Sequence, residues 1–236
     1  MIQIKILPQP DDTTCGPTSL HAVYSYYGEK ISLSDVISDV TFLEEGGTLA
    51  VLLGIDALKK GYKVSLLSYN LVVFDPTWFA DKNTDVKAKL LEQMKFKKNQ
   101  KLLKASKAYI EFLELGGRIL FQDLNAALLK KYFDKNVPLL SGLNATYLYN
   151  CARETVDENE NSIYDDIKGY SAGHFVVLCG YDEEKKNILV SDPYKGNPLS
   201  DNNYYSVKVG HLINSILLGI VTYDANLLII EKQDAK

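Results

Sequence analysis

The chain is poor in the residues that build most metal centres and cross-linked scaffolds. Among 236 residues it has three cysteines, three histidines, two methionines and one tryptophan. Cys15, Cys151 and Cys179 are odd in number and contain no Cys-x-x-Cys pair, so a disulfide framework is excluded and a structural zinc site is not expected. Basic excess is also missing. The net charge is −4 and the pI about 5.5, which argues against a nucleic-acid backbone as the main partner. No apolar run is long enough to span a bilayer. The start, Met1 to Lys5, lacks the basic-then-apolar pattern of a signal peptide. Internal repeats and low-complexity tracts are absent. What remains is a chain with 46% hydrophobic and 24% charged residues, as in ordinary globular domains. The expected setting is cytoplasmic and reducing, where a free thiol persists.

The stretch Gln9 to Leu20 places a cysteine at the start of a helix. Pro17 suits a first turn, where its missing N–H has no partner to lose. Leu20, Val23, Tyr24 and Tyr27 share a face, and Gly28 supplies the stop. Unpaired backbone N–H groups and the positive helix pole both favour thiolate at Cys15, and a thiolate can attack a carbonyl. The plain alternative is a small buried apolar residue. Gln9, six residues upstream, can return its side-chain amide over the loop to donate to an oxyanion together with the Cys15 N–H.

Around this stretch the elements read in order. Ile2, Ile4 and Ile6 alternate as a short strand over Ile2 to Leu7. Ser32 or Ser34 caps a helix. Glu44 to Thr48 breaks the chain, and Thr48 caps a helix running to about Lys60, ended by Gly61. Lys63 to Tyr69 is β-like. Residues 83–115 predict one or two amphipathic helices whose lysines, from Lys95 to Lys107, form a solvated face or a contact to a substrate carboxylate or partner. Gly116-Gly117 reads as a hinge or insert boundary. Asp123 caps a helix through Phe133, and Val137 to Leu143 is a buried strand. Residues 145–172, with Asp157, Glu158, Glu160, Asp165 and Asp166, read as a long acidic surface loop of the kind that forms lids or binding loops. Near the end, Tyr204 to Val209 is a strand, His211 to Leu218 a helix, Leu227 to Ile230 a closing strand, and Gln233 to Lys236 frayed.

Two further strands, Gly173 to Asp182 and Asn187 to Tyr194, are joined by the charged turn Asp182 to Lys186. A hairpin brings Asp192, at the end of the second, close to His174, at the start of the first. The carboxylate can then fix the imidazole tautomer and support its positive charge. The rivals fall away on distance. His21 is about 9 Å along the helix from Cys15, His211 has no acidic strand neighbour, and Asp182 is about 26 Å from His174 along its strand. Cys179, five positions from His174, belongs on the opposite sheet face as core.

Gln9 before Cys15-Gly16, Gly173-His174 followed by Gly180-Tyr181-Asp182, and Ser191-Asp192-Pro193-Tyr194 together resemble the papain-like cysteine peptidases of family thirty-nine, the bacteriocin-leader peptidases and their stand-alone relatives. The resemblance covers about residues 1–40 and 119–232, and leaves 41–118 as a helical insert in a single domain. It implies an α+β papain-like fold, a nucleophile helix packed on an antiparallel sheet. It also implies Cys15 as nucleophile, His174 as general base and acid, Asp192 as orienting residue and Gln9 as oxyanion donor. The expected activity is hydrolysis of a peptide or amide bond through an acyl-enzyme, with no metal or organic cofactor. An acyl or peptidyl transferase uses the same residues, and a non-catalytic peptide-binding module keeps the same cleft. Well-studied relatives are fused to a transporter that carries their substrate. Without such a region here, a double-glycine leader is not the expected substrate.

Overall fold

The computed structural model describes residues 2–43, 47–158 and 162–233. Among them, helix α1 (Cys15–Tyr26) is followed by α2 (Leu33–Asp39), α3 (Ala50–Lys59), strand β1 (Lys63–Ser68), α4 (Val86–Phe96), α5 (Gln100–Glu114) and β2 (Arg118–Leu120). Then come α6 (Ala126–Phe133), β3 (Leu139–Asn144), α7 (Ala145–Tyr149) and the short strands β4 (Glu154–Val156) and β5 (Ser162–Tyr164). The chain continues through β6 (Gly173–Asp182), β7 (Asn187–Ser191), β8 (Tyr204–Lys208), α8 (Val209–Leu218) and β9 (Asn226–Glu231).

Seven strands form one sheet in the order β2-β1-β9-β3-β6-β7-β8. Only the β1–β2 pair is parallel. Leu227, Leu228, Ile229 and Ile230 are all buried, and so is every residue of β3. Neighbouring side chains on a strand point to opposite faces, so the middle of the sheet is covered on both sides. Helix α1 packs on β6, α3 on β1 and β9, and α8 on β3. Every residue of α1 from Cys15 to Tyr24 is buried, so the helix is enclosed rather than amphipathic. The Ser19 hydroxyl donates to the Phe175 carbonyl at 3.1 Å and ties α1 to β6.

Local chemistry explains most boundaries. Ser32, Asp85 and Asn99 accept from the backbone of the first turns of α2, α4 and α5. Gly28, Gly61 and Gly116 adopt positive φ at 89°, 85° and 90° just past helix ends. The stretch 41–118 supplies α3 and β1 to the central layer, while α4 packs on α5 and α5 on α3. Lys95, Lys97, Lys98, Lys104 and Lys107 are exposed, whereas Lys101 is half-buried.

Several expectations are corrected. Ile2 to Leu7 is not a strand. Its isoleucines are buried, but the segment is held by isolated bonds from Ile2 N–H to the Cys179 carbonyl and from Gln9 N–H to the Pro193 carbonyl, both 2.9 Å. Thr48 does not cap α3. Its hydroxyl donates to the Thr41 carbonyl at 2.9 Å, and Leu49 takes the cap position. The cap of α6 is Asn125, two residues past Asp123, accepting from Leu128 N–H at 2.9 Å. Residues 145–172 are not one loop but hold α7 and the β4–β5 hairpin. The expected closing strand does form, as β9, and lies inside the sheet between β1 and β3. Glu44, Glu45 and Gly46 of the expected break, Glu160, and residues 234–236 of the expected frayed end lie outside the described residues.

Candidate active site

Cys15 is the first residue of α1 and is 9% exposed. A turn built on Asp11 leads into it. The Asp11 carboxylate accepts from the Thr13 N–H at 2.8 Å and the Thr13 hydroxyl at 2.7 Å. The next residue has no room for a side chain, since a Cβ on Gly16 would stand 2.6 Å from the Thr48 methyl.

His174 stands opposite Leu143 of β3 in the register, second in β6. Its Nε2–H donates to Asp192 Oδ1 at 2.8 Å. After Asp192, Cys15 is the next side chain that acts on the ring, and it too favours the charged form. His174 and Asp192 are thereby paired, and Cys15 acts on the same ring.

Asp192 follows β7 and is fully buried. Beside the His174 bond, Oδ1 accepts from the Tyr194 N–H at 2.8 Å. Oδ2 accepts from two phenols, Tyr149 and Tyr205, each at 2.7 Å. The residue's own backbone is clasped by Asn203, whose side-chain amide donates to the Asp192 carbonyl at 2.6 Å. Burial alone would raise the carboxyl's pKa, but the His174 charge and these donors hold it below the ordinary value. Burial and the adjoining carboxylate push both tyrosines up, so they remain protonated donors.

Burial likewise opposes charge on His174, yet the Asp192 carboxylate, and after it Cys15, outweigh that and push it up to about 10. The carboxylate partner thus favours the charged form of the ring.

Gln9 is half-buried and lines a cavity of about 360 Å³ with His174, Tyr149 and Tyr194. Its Nε2 donates to the Asp11 carbonyl at 2.9 Å, while its Oε1 is buried without a partner. A second cavity, about 270 Å³, opens on Cys15 and is lined by Lys101, Phe175 and Asp224. The two cavities share Asp12 and Gly173.

The remaining candidates lie elsewhere. His21 Nε2–H donates to the Ile31 carbonyl at 3.2 Å, and His211 stacks on Tyr147 and bonds the Leu148 carbonyl at 3.0 Å. Cys179 is buried at a β-bulge of β6 with its sulfur 3.1 Å from the Ser191 hydroxyl. Asp182 pairs with Asn187 at the far end of the hairpin. Tyr149, Tyr205 and Asp224 are what sequence reasoning misses. Tyr205 carried one usable signal, as the inward residue of a predicted strand. Tyr149 closes a helix hidden in an apparent loop, and Asp224 carries no periodic signal. Among the described residues no group of three His, Cys, Asp or Glu is placed to hold a metal ion, and no helix is long and apolar enough to cross a membrane.

Residues 1–212 match the model of the Peptidase_C39 like family. Among solved structures, a protein from Bacillus anthracis described as a C39-like peptidase superposes with a TM-score of 0.51 at 16% identity, covering 99% of this chain and 96% of that one. A double glycine motif protease from an AMS/PCAT transporter, in complex with its leader peptide, gives 0.47 at 14% identity, covering 98% and 94%. Xylellain, a cysteine protease from Xylella fastidiosa, gives 0.43 at 12% identity, covering 99% and 85%. A comparison with curated proteins returns no match. The architecture is α+β and papain-like, with a mostly antiparallel sheet.

Proposed function

Since the chain belongs to the Peptidase_C39 like family, we propose that it is a cysteine peptidase that cleaves a peptide bond through an acyl-enzyme. The observation that supports this reading is the buried 2.8 Å hydrogen bond between His174 and Asp192, with Cys15 at the start of α1 the next side chain acting on that ring. The Cys15 thiolate attacks the scissile carbonyl carbon, and the C=O electron pair moves onto oxygen. The Cys15 N–H and the Gln9 amide donate to that oxyanion, Gln9 through the Nε2 hydrogen not given to Asp11. The Nδ1–H of His174 then protonates the leaving nitrogen as the C–N bond breaks, leaving a thioester and a neutral ring. Water enters, loses a proton to Nδ1 and attacks the thioester. Collapse releases the carboxylic acid and restores the thiolate–imidazolium pair. Asp192 keeps its place on Nε2 throughout, so the ring changes charge without turning.

The test is a mass-spectrometric screen of a peptide library with the purified protein and its Cys15→Ala variant. Cleavage by the parent, and its loss in a variant that melts within a few degrees of the parent, is the expected result. Equal cleavage by both proteins would move the chemistry to another residue.

A further inference from the structure

Two carboxylates stand near the nucleophile, and they are treated in opposite ways. Asp192 is saturated, with His174, Tyr149, Tyr205 and the Tyr194 N–H all donating to it. Asp224 is also withdrawn from water, at 7% exposure, but the hydroxyl of neighbouring Thr222 donates to the Gly219 carbonyl at 3.1 Å. It lies in the turn between Thr222 and β9, and its Oδ2 is pressed so close to Gly173 that a Cβ there would collide with it. From that position it lines the 270 Å³ cavity that opens on Cys15.

A carboxylate removed from water calls for a counter-ion or several donors. The lysine in the cavity does not supply one. Lys101 lines the same cavity, but its Nζ sits over the Tyr223 ring, 4.7 Å from the centroid. Among the described residues, Asp224 has no ion-pair partner within 4 Å. Burial accordingly pushes its carboxyl up to about 7, against the pull of Thr222, Lys101 and His174. Two carboxyl side chains, Asp12 and Asp224, and one lysine, Lys101, line the cavity. The cavity has room for one long side chain, and it adjoins the sulfur that a bound peptide must cross.

We propose that Asp224 is the floor of a subsite that takes a lysine or arginine side chain of the substrate, with the substrate cation completing the ion pair that Lys101 leaves unmade. The proposal rests on the peptidase reading for its ligand being a peptide. Asp224 is then a specificity residue, and Lys101 a resident competitor for its charge.

Binding to full-length Cys15→Ala protein separates the two claims, because it needs no turnover. The probes are twelve-residue alanine–glycine–serine peptides carrying one lysine at each position in turn, matched by norleucine, glutamine and glutamate at the same place, with Kd measured by calorimetry. A hydrogen-bonded charge pair corresponds to roughly ten- to a hundredfold in Kd. At one position lysine should therefore bind at least about tenfold more tightly than norleucine. Adding Asp224→Asn should bring that ratio close to one, and adding Lys101→Met should raise it. Equal affinities for lysine and norleucine at every position, tighter binding of glutamine or glutamate than lysine at the best position, or no binding of any peptide, would each overturn the subsite. So would a ratio that Asp224→Asn leaves intact. If that variant does not fold, a ratio unmoved by Lys101→Met overturns it instead. Lysine preference in a protein whose parent never cleaves would keep the subsite and remove the peptidase. Cleavage without the preference would do the reverse.

Discussion

The charge state of His174 offers the sharpest quantitative test. The ring's ordinary pKa is 6.5, and in the fold it is pushed up to about 10, with Asp192 the larger of its two raising partners and Cys15 the smaller. A group raised on folding contributes stability that is complete below its unfolded pKa and is lost as pH climbs through the folded one. The window here runs from about pH 6.5 to about pH 10. At 1.36 kcal/mol per pKa unit, the whole of that difference is on the order of 5 kcal/mol, with a slope of at most about 1.4 kcal/mol per pH unit. Cys15 is itself one of the groups that raise the ring, so both proteins compared should carry Cys15→Ala, which leaves the larger partner in place. The perturbation is Asp192→Asn. Its amide keeps the carboxylate's shape, and the hydroxyls of Tyr149 and Tyr205 can turn to accept from it. Burial then acts on His174 unopposed, and the ring falls to its ordinary value or below. Urea unfolding at pH 6.5, 8 and 9.5, with proton NMR titration of the imidazole, reads both quantities. The Cys15→Ala protein should lose stability steadily across that range, and the double variant should lack this loss. Parallel stability curves, with an imidazole that still titrates near pH 10 in the double variant, would refute the electrostatic account of the site.

Three further outcomes follow from the same contacts. Tyr205→Phe removes a 2.7 Å donor from a buried carboxylate and should cost about 1.5–3 kcal/mol in urea melts at pH 7. Because the Asp192 pKa is depressed below 3.8, that deficit should persist at neutral pH and shrink only as pH falls through the lower folded values; a deficit that grows as the pH is lowered would contradict it. Gly142→Ala would set a Cβ 2.6 Å from the Asp224 backbone carbonyl, which cannot rotate away, so a loss of about 1–3 kcal/mol is expected, and an unchanged Tm would show the turn to be more yielding. Iodoacetamide at pH 7 should modify Cys15 first, since burial pushes the Cys179 thiol up to about 11, and burial with Glu154 also raises Cys151; peptide mapping that finds Cys151 modified first would count against a reactive Cys15.

What was legible in the chain was local. Pro17 after Cys15, the glycine stops and the charged turn from Asp182 to Lys186 are short-range signals, and they place α1 and the β6–β7 hairpin. Consecutive antiparallel strands bring their outer ends together, which is why the His174–Asp192 pairing could be read from spacing. The rest depends on distant pairings. Tyr149 and Tyr205 reach one carboxylate oxygen from 43 and 13 residues away, from a helix and from the edge strand. Alternation at Ile2, Ile4 and Ile6 signals burial, yet burial there is met with isolated bonds instead of a ladder. Residues 145–172 look like a loop because their elements are too short to show a period, with β4 and β5 only three residues each.

The central position of β9 has a consequence for how the protein comes into being. Leu228 must find both Leu66 and Leu140, partners made long before it. Pairings of such high contact order are slow to form. On a ribosome, β3 carries one open edge until β9 is delivered, and an open edge invites association with other chains. The wall of the cleft that includes Asp224 arrives with the same segment. A nascent chain thus holds Cys15 and His174 before it holds the segment that carries Asp224, and a chaperone has most to shield until that segment pairs.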